Sequence, residues 1–228
     1  MTIVIALREL RLVDTGAHRA WLAAYAPRFR YSLALAGFAL VLQVLLAAVI
    51  PNVWFRMGAA GFTLSALAVR SVDVDWRQLF RPSWRQVASG VVAAAVLYAA
   101  GWLVVAASLP LPGAATQIAQ LFAWKNSVPA GLMLPLLLFI VAVEEIVWRC
   151  AVTLPFAARL GPWLGALAAG SAFALAHVPL GVPLLAFAAL CAGTYWSLLV
   201  VKTRSAVPSF VCHILWDLAV LVWFPYRL

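Results

Sequence analysis

Apolar residues fill this chain in blocks of roughly twenty, the length needed to cross a bilayer core, separated by short polar or proline-containing breaks. The blocks run from Tyr31 to Ile50, Val53 to Val69, Val87 to Leu109, Pro129 to Leu154 (stopping before Pro155), Pro162 to Val178, Pro183 to Val201 and Ala206 to Phe224. This pattern predicts an all-α polytopic membrane helix bundle of about seven transmembrane helices, six to eight if the weaker segments are counted differently. Residues 114–128, with Gln117, Gln120, Lys125 and Asn126, read as a short interfacial or re-entrant helix. Residues 1–30 interleave Arg8, Arg11, Arg19, Arg28 and Arg30 with Leu7, Leu10, Trp21, Leu22 and Tyr25, as a basic amphipathic segment on a membrane surface would. His18 reads there as a surface residue. Residues 31–228 read as a single membrane domain, with no evident repeat and no expected linker to a second.

Composition agrees: the 228 residues are 66% hydrophobic, with a mean hydropathy of +1.03. A net charge of +9 would suggest nucleic acid in a soluble protein. Here the charges cluster between apolar blocks, so no nucleic-acid partner is expected and the lipid bilayer is. With the N-terminus inside, thirteen of the sixteen Lys and Arg residues fall on the cytoplasmic side. Only Arg56, Lys125 and Arg227 fall outside. The expected location is a bacterial inner (plasma) membrane with a cytoplasmic N-terminus. The short stretch before Arg8 does not read as a signal peptide, so none is expected. Cys150, Cys191 and Cys212 lie within apolar segments and form no disulfide or zinc spacing.

The candidate chemistry sits where charge is least expected. After Gln86 the only acidic residues are Glu144, Glu145 and Asp217, and the only histidines are His177 and His213. All five fall within three apolar blocks, where each charge costs roughly 2.5–3.5 kcal/mol on insertion scales. Glu145 and Arg149 are four apart and can pair on one helix face. Glu144 lies about 100° around the helix with no partner in its own segment, so it is free to exchange protons with water. Phe173 stands one turn before His177 and can pack its ring. His213 and Asp217 repeat the four-residue spacing, which lets the carboxylate fix the imidazole tautomer or stabilise imidazolium. If the helix of Glu144 stops at Pro155, Glu144 is roughly 16 Å from its helix end and His177 roughly 24 Å from its own, so tilt is needed to level them.

Glu144-Glu145-x-x-x-Arg149, Phe173-x-x-x-His177 and His213-x-x-x-Asp217, in that order, resemble the three motifs of the CAAX-protease and bacteriocin-processing (CPBP, or Abi) family over residues 129–224. The resemblance implies a glutamic intramembrane endopeptidase. Glu144 and His177 would activate a water molecule, His213 and Asp217 would support the oxyanion, and Glu145 with Arg149 would be structural. The substrate would be a membrane-associated protein or peptide: a C-terminal sorting tail, a prenyl-type tail or a leader peptide. The family's third motif often ends in asparagine, whereas Asp217 can donate to an oxyanion only when protonated. Asp217 could instead orient His213 or complete a metal site.

No cofactor is required by this reading. A zinc-dependent form would draw on Glu144, His177, His213 and Asp217 as ligands, although the chain has no HExxH. Two other classes stay open. A proton-coupled transporter could use the same carboxylates as a relay, but no internal repeat supports it. A non-catalytic membrane scaffold or immunity protein could keep the same fold.

Overall fold

The computed structural model describes residues 16–71 and 75–226, which are helical with no strand. The first fifteen residues of the expected amphipathic segment, Asp73 and Arg227 lie outside the described residues. In chain order the helices are α1 (Gly16–Ala23), α2 (Phe29–Ala47), α3 (Val53–Ser71), α4 (Trp84–Ser108), α5 (Ala114–Lys125), α6 (Ala130–Leu160), α7 (Pro162–His177), α8 (Pro183–Thr203) and α9 (Val207–Trp223). A single turn, Trp76–Leu79, precedes α4. Among the described residues, five helical stretches are long and apolar enough to cross a membrane: Gly16–Ala47, Trp84–Ser108, Ala130–Leu160, Pro162–Leu180 and Pro183–Thr203. α3 carries Arg56 and Arg70, and α9 is shorter and carries His213 and Asp217, so neither matches those five in length and apolarity.

Contacts between distant loops sort the helix ends into two groups. At one end the Arg204 Nε donates to His18 Nδ1 (3.2 Å), and Ser205 Oγ and Ala206 N both donate to the Leu79 carbonyl. At the other, Asn52 Nδ2 donates to the Ser127 carbonyl, Trp54 Nε1 to the Trp124 carbonyl, and Leu184 N to Gln117 Oε1. Successive helices α2, α3, α4, α6, α7, α8 and α9 therefore alternate in direction, and α5 lies across the second end. His18 is buried under the Arg204 contact, which corrects its reading as a surface residue. The sequence around it is basic, but its partner comes from the far end of the chain.

α6 departs from expectation in two ways. Residues Glu145–Thr153 form a π-helix, and the helix then continues through Pro155 to Leu160 instead of ending at Leu154. An α-helix would bond the amide of residue 155 to the Ala151 carbonyl, and proline has no amide hydrogen. The Ser32 hydroxyl, on the buried face of α2, donates to that carbonyl at 2.5 Å. A neighbouring helix thus satisfies the group that proline frees, as happens where polar backbone is buried in a membrane protein. Gly161 (φ +87°) and Pro162 at the start of α7 then reverse the chain within about one residue.

Tight approach brings the last helix into place. A β-carbon at Gly90 on α4 would stand 2.8 Å from the Pro208 carbonyl and 2.7 Å from the Val211 Cβ on α9. Only a residue without a side chain lets these helices pack this closely. Expected topology is checked by single cysteines at Arg77 and Lys125, labelled with an impermeant reagent. Labelling from opposite sides, with Arg77 cytoplasmic, agrees with the alternation; labelling from one side contradicts it.

Candidate active site

The site is assembled from α6, α7, α8 and α9 around the Glu145 carboxylate. Its Oε1 accepts from Arg149 Nε (3.3 Å) and from His213 Nδ1 (2.9 Å), and its Oε2 accepts from Ser209 Oγ (2.6 Å). Glu145 and Arg149 are completely buried. The Arg149 guanidinium also reaches the Gly193 carbonyl and Ser197 Oγ on α8 (3.4 and 3.5 Å). It lies over the rings of Phe173 (4.8 Å) and Trp196 (5.2 Å). Thr153, at the end of the π-helix, donates to the Trp148 carbonyl five residues back and shares a hydrogen bond with Ser197 (2.8 Å). The π-helix thus places Arg149 and Thr153 against α8, and Glu145 against α9.

Both histidines are oriented through Nδ1. The His177 Nδ1 stands 2.8 Å from the Phe173 carbonyl. A carbonyl only accepts, so Nδ1 carries the hydrogen and Nε2 is left as the acceptor of the neutral ring. The Phe173 ring packs edge-on against the imidazole at 4.4 Å. The His213 Nδ1 is held by Glu145, and its ring stacks on Trp196 at 3.7 Å. Asp217 Oδ2 lies 3.7 Å from His213 Nε2, on the other side of the ring. The carboxylate on Nδ1 is therefore Glu145, and Asp217, at the expected four-residue spacing, stands at Nε2. That spacing brings Asp217 to the edge of the imidazole that Glu145 leaves open.

The two Nε2 atoms face Glu144. Its Oε1 is 3.9 Å from His177 Nε2 and its Oε2 is 3.8 Å from His213 Nε2. The side chains of Glu144 (12% exposed) and Asp217 (17%) stay reachable, whereas Glu145 is sealed. The expected depth mismatch disappears because α6 continues to Leu160. Glu144 stands seventeen residues before Gly161 and His177 sixteen after it, so two antiparallel helices carry them to nearly the same level. Every residue singled out from sequence (Glu144, Glu145, Arg149, Phe173, His177, His213, Asp217) is in this cluster. Ser209, Trp196 and Ser197 were missed. Ser209 was detectable as a polar residue four before His213, on the same face; Trp196 and Ser197 carry no spacing signal.

Residues 124–219 match the family model described as type II CAAX prenyl endopeptidase, Rce1-like. Over this segment, less than half of the chain, the protein is similar to that family. The matched segment includes Glu144, His177, His213 and Asp217. No curated protein and no solved structure matches the chain. Among the described residues no group of three or more His, Cys, Asp and Glu side chains is arranged to hold a metal ion.

Removing the charge of Glu145 should unfold the centre of this arrangement. Glu145→Gln leaves Arg149 buried without a counter-ion, a change typically costing about 3–5 kcal/mol. The expected outcome is a clearly lower thermal midpoint in detergent. An unchanged midpoint would mean that Arg149 is not held by this pair.

Proposed function

We propose that this protein is an intramembrane endopeptidase that hydrolyses a peptide bond of a membrane-associated protein or peptide with water activated by Glu144 and His177. The observation that carries the reading is the convergence of two Nε2 atoms on the two oxygens of one reachable carboxyl group. Gaps of 3.8–3.9 Å are too long for direct hydrogen bonds. They suit one water oxygen about 2.8 Å from each partner, with the two arms meeting at roughly a right angle.

The chemistry follows from what each atom accepts. Water donates to Glu144 and to the His177 Nε2 lone pair. As its oxygen attacks the peptide carbonyl, Glu144 takes a proton. The carbonyl becomes a tetrahedral oxyanion, which His213, in its protonated form, meets from Nε2 while Glu145 holds Nδ1. A preorganised donor in a water-poor site is worth more than the same donor in water. Glu144 then passes its proton to the departing amine, and the C–N bond breaks. Asp217, beside His213 Nε2, donates to the oxyanion when protonated or anchors the imidazolium when ionised. The substrate class favoured is a membrane-anchored C-terminal tail, with prenyl-type tails and leader peptides as alternatives.

Cleavage of a membrane-anchored reporter by purified protein tests the proposal. Glu144→Gln and His177→Ala should each lower the rate about 10²–10⁴-fold. His213→Ala should lower it about 10²–10³-fold. All three should stay folded. Asp217→Asn should keep much of the rate if Asp217 donates to the oxyanion, and lose most of it if its charge is needed. Full cleavage by a folded Glu144→Gln protein would end the glutamic mechanism. Cleavage abolished by a chelator and restored by zinc would end its metal-free form.

A further inference from the structure

His213 is held by Glu145 at a single atom, Nδ1 (2.9 Å). One hydrogen bond fixes where that atom sits and tolerates a range of angles, so it leaves the imidazole free to tilt. Nε2 lies on the far side of the ring, and a tilt about Nδ1 carries it away from Glu144 and Asp217. A histidine that must present Nε2 in one direction needs a second constraint, on the plane of its ring.

Trp196, on α8, stands where such a constraint acts. Its indole lies against the face of the imidazole, with centroids 3.7 Å apart and planes 23° apart. Its Nε1 donates to the Sγ of Cys212, the residue before His213 (3.3 Å). The indole is itself enclosed, at 2% exposed. The Arg149 guanidinium carbon is 5.2 Å from its centroid, and the rings of Phe173 and Trp216 meet it edge-on at 6.4 and 5.8 Å. Phe173 in turn packs the ring of His177 at 4.4 Å. Two aromatic side chains in contact therefore carry one histidine each, and Trp196 serves His213.

We infer that Trp196 is a positioning residue whose indole fixes the plane of the His213 imidazole and keeps Nε2 turned toward Glu144 and Asp217. Its consequence for the rate rests on the endopeptidase reading above. In that reading His213 meets the oxyanion only as the tetrahedral intermediate forms. A loosened ring then costs turnover and leaves substrate binding unchanged. The flat face is what acts. A phenyl ring at position 196 keeps a face, whereas a methionine side chain fills space with a flexible thioether and has none.

The first test needs no variant. Histidine labelled with ¹³C at Cε1 reports His18, His177 and His213 in the detergent-solubilised protein. The His213 Hε1 signal should be sharp, displaced upfield by the indole ring current, and in NOE contact with indole protons. Absence of both the displacement and the NOE would overturn the inference. The second test follows cleavage of a membrane-anchored peptide. Trp196→Met should lower kcat about 10–10²-fold with KM little changed, the scale of a small misplacement of a reacting group. Trp196→Phe should keep most of the rate and part of the ring-current displacement. In a His213→Ala background, Trp196→Met should cost nothing further, because the group it acts through is gone. Equal losses in both backgrounds would mark a merely structural residue and overturn the inference, as would equal losses with Phe and Met. If Trp196→Met does not fold, Trp196→Phe decides: a kcat as low as that expected for Met, or a full rate with the displacement lost, would overturn the inference. If the wild type cleaves no peptide although the His213 signal shows the displacement and the NOE, the endopeptidase reading falls and the positioning of the ring stands.

Discussion

One buried carboxylate, Glu145, holds the site together. Its two oxygens take donors from α6 (Arg149) and from two positions on α9 (Ser209, His213). Arg149 in turn ties the group to α8. Removing charges from water into a bilayer is unfavourable, and such a group persists only when its lone pairs and its countercharge are both provided for. Glu145 meets that condition by being acceptor to three donors. A consequence is that His213 is fixed through Nδ1, leaving Nε2 facing Glu144 and Asp217. Structural and chemical roles are divided between two adjacent glutamates, one sealed and one reachable.

The division depends on the backbone as much as on the side chains. A regular α-helix would put Arg149 one turn from Glu145, and so does the sequence spacing. The π-helix widens that turn and aligns Thr153 with Ser197 on α8. Pro155 is then accommodated because Ser32 meets the Ala151 carbonyl. This continuation gives α6 and α7 matching lengths on either side of Gly161, and so levels Glu144 with His177. A hydroxyl on α2, remote in sequence from every motif, thereby sets the depth of the site.

Much of this was readable from residues alone. Helix number and the composition of the cluster follow from apolar block length and from the few ionisable groups after Gln86. Contacts within one helix, such as Glu145 with Arg149, follow from four-residue spacing. Contacts between helices do not, so the pairing of His213 with Asp217 is legible in the spacing and its second carboxylate, Glu145, is not. Pro155 looked like a helix end because the hydroxyl that compensates it is 119 residues away along the chain. His18 looked exposed for the same reason: its partner is Arg204.

The central claim is that Glu144 removes a proton from water and does not itself attack the peptide. A single turnover in ¹⁸O-labelled water, with enzyme in excess over a cleavable membrane-anchored peptide, tests it directly. Direct attack by water places the label in the new C-terminal carboxylate of the product and leaves the Glu144 peptide unlabelled. Label in the Glu144 carboxyl group, with unlabelled product from the first turnover, would show an acyl intermediate on Glu144 and contradict the account.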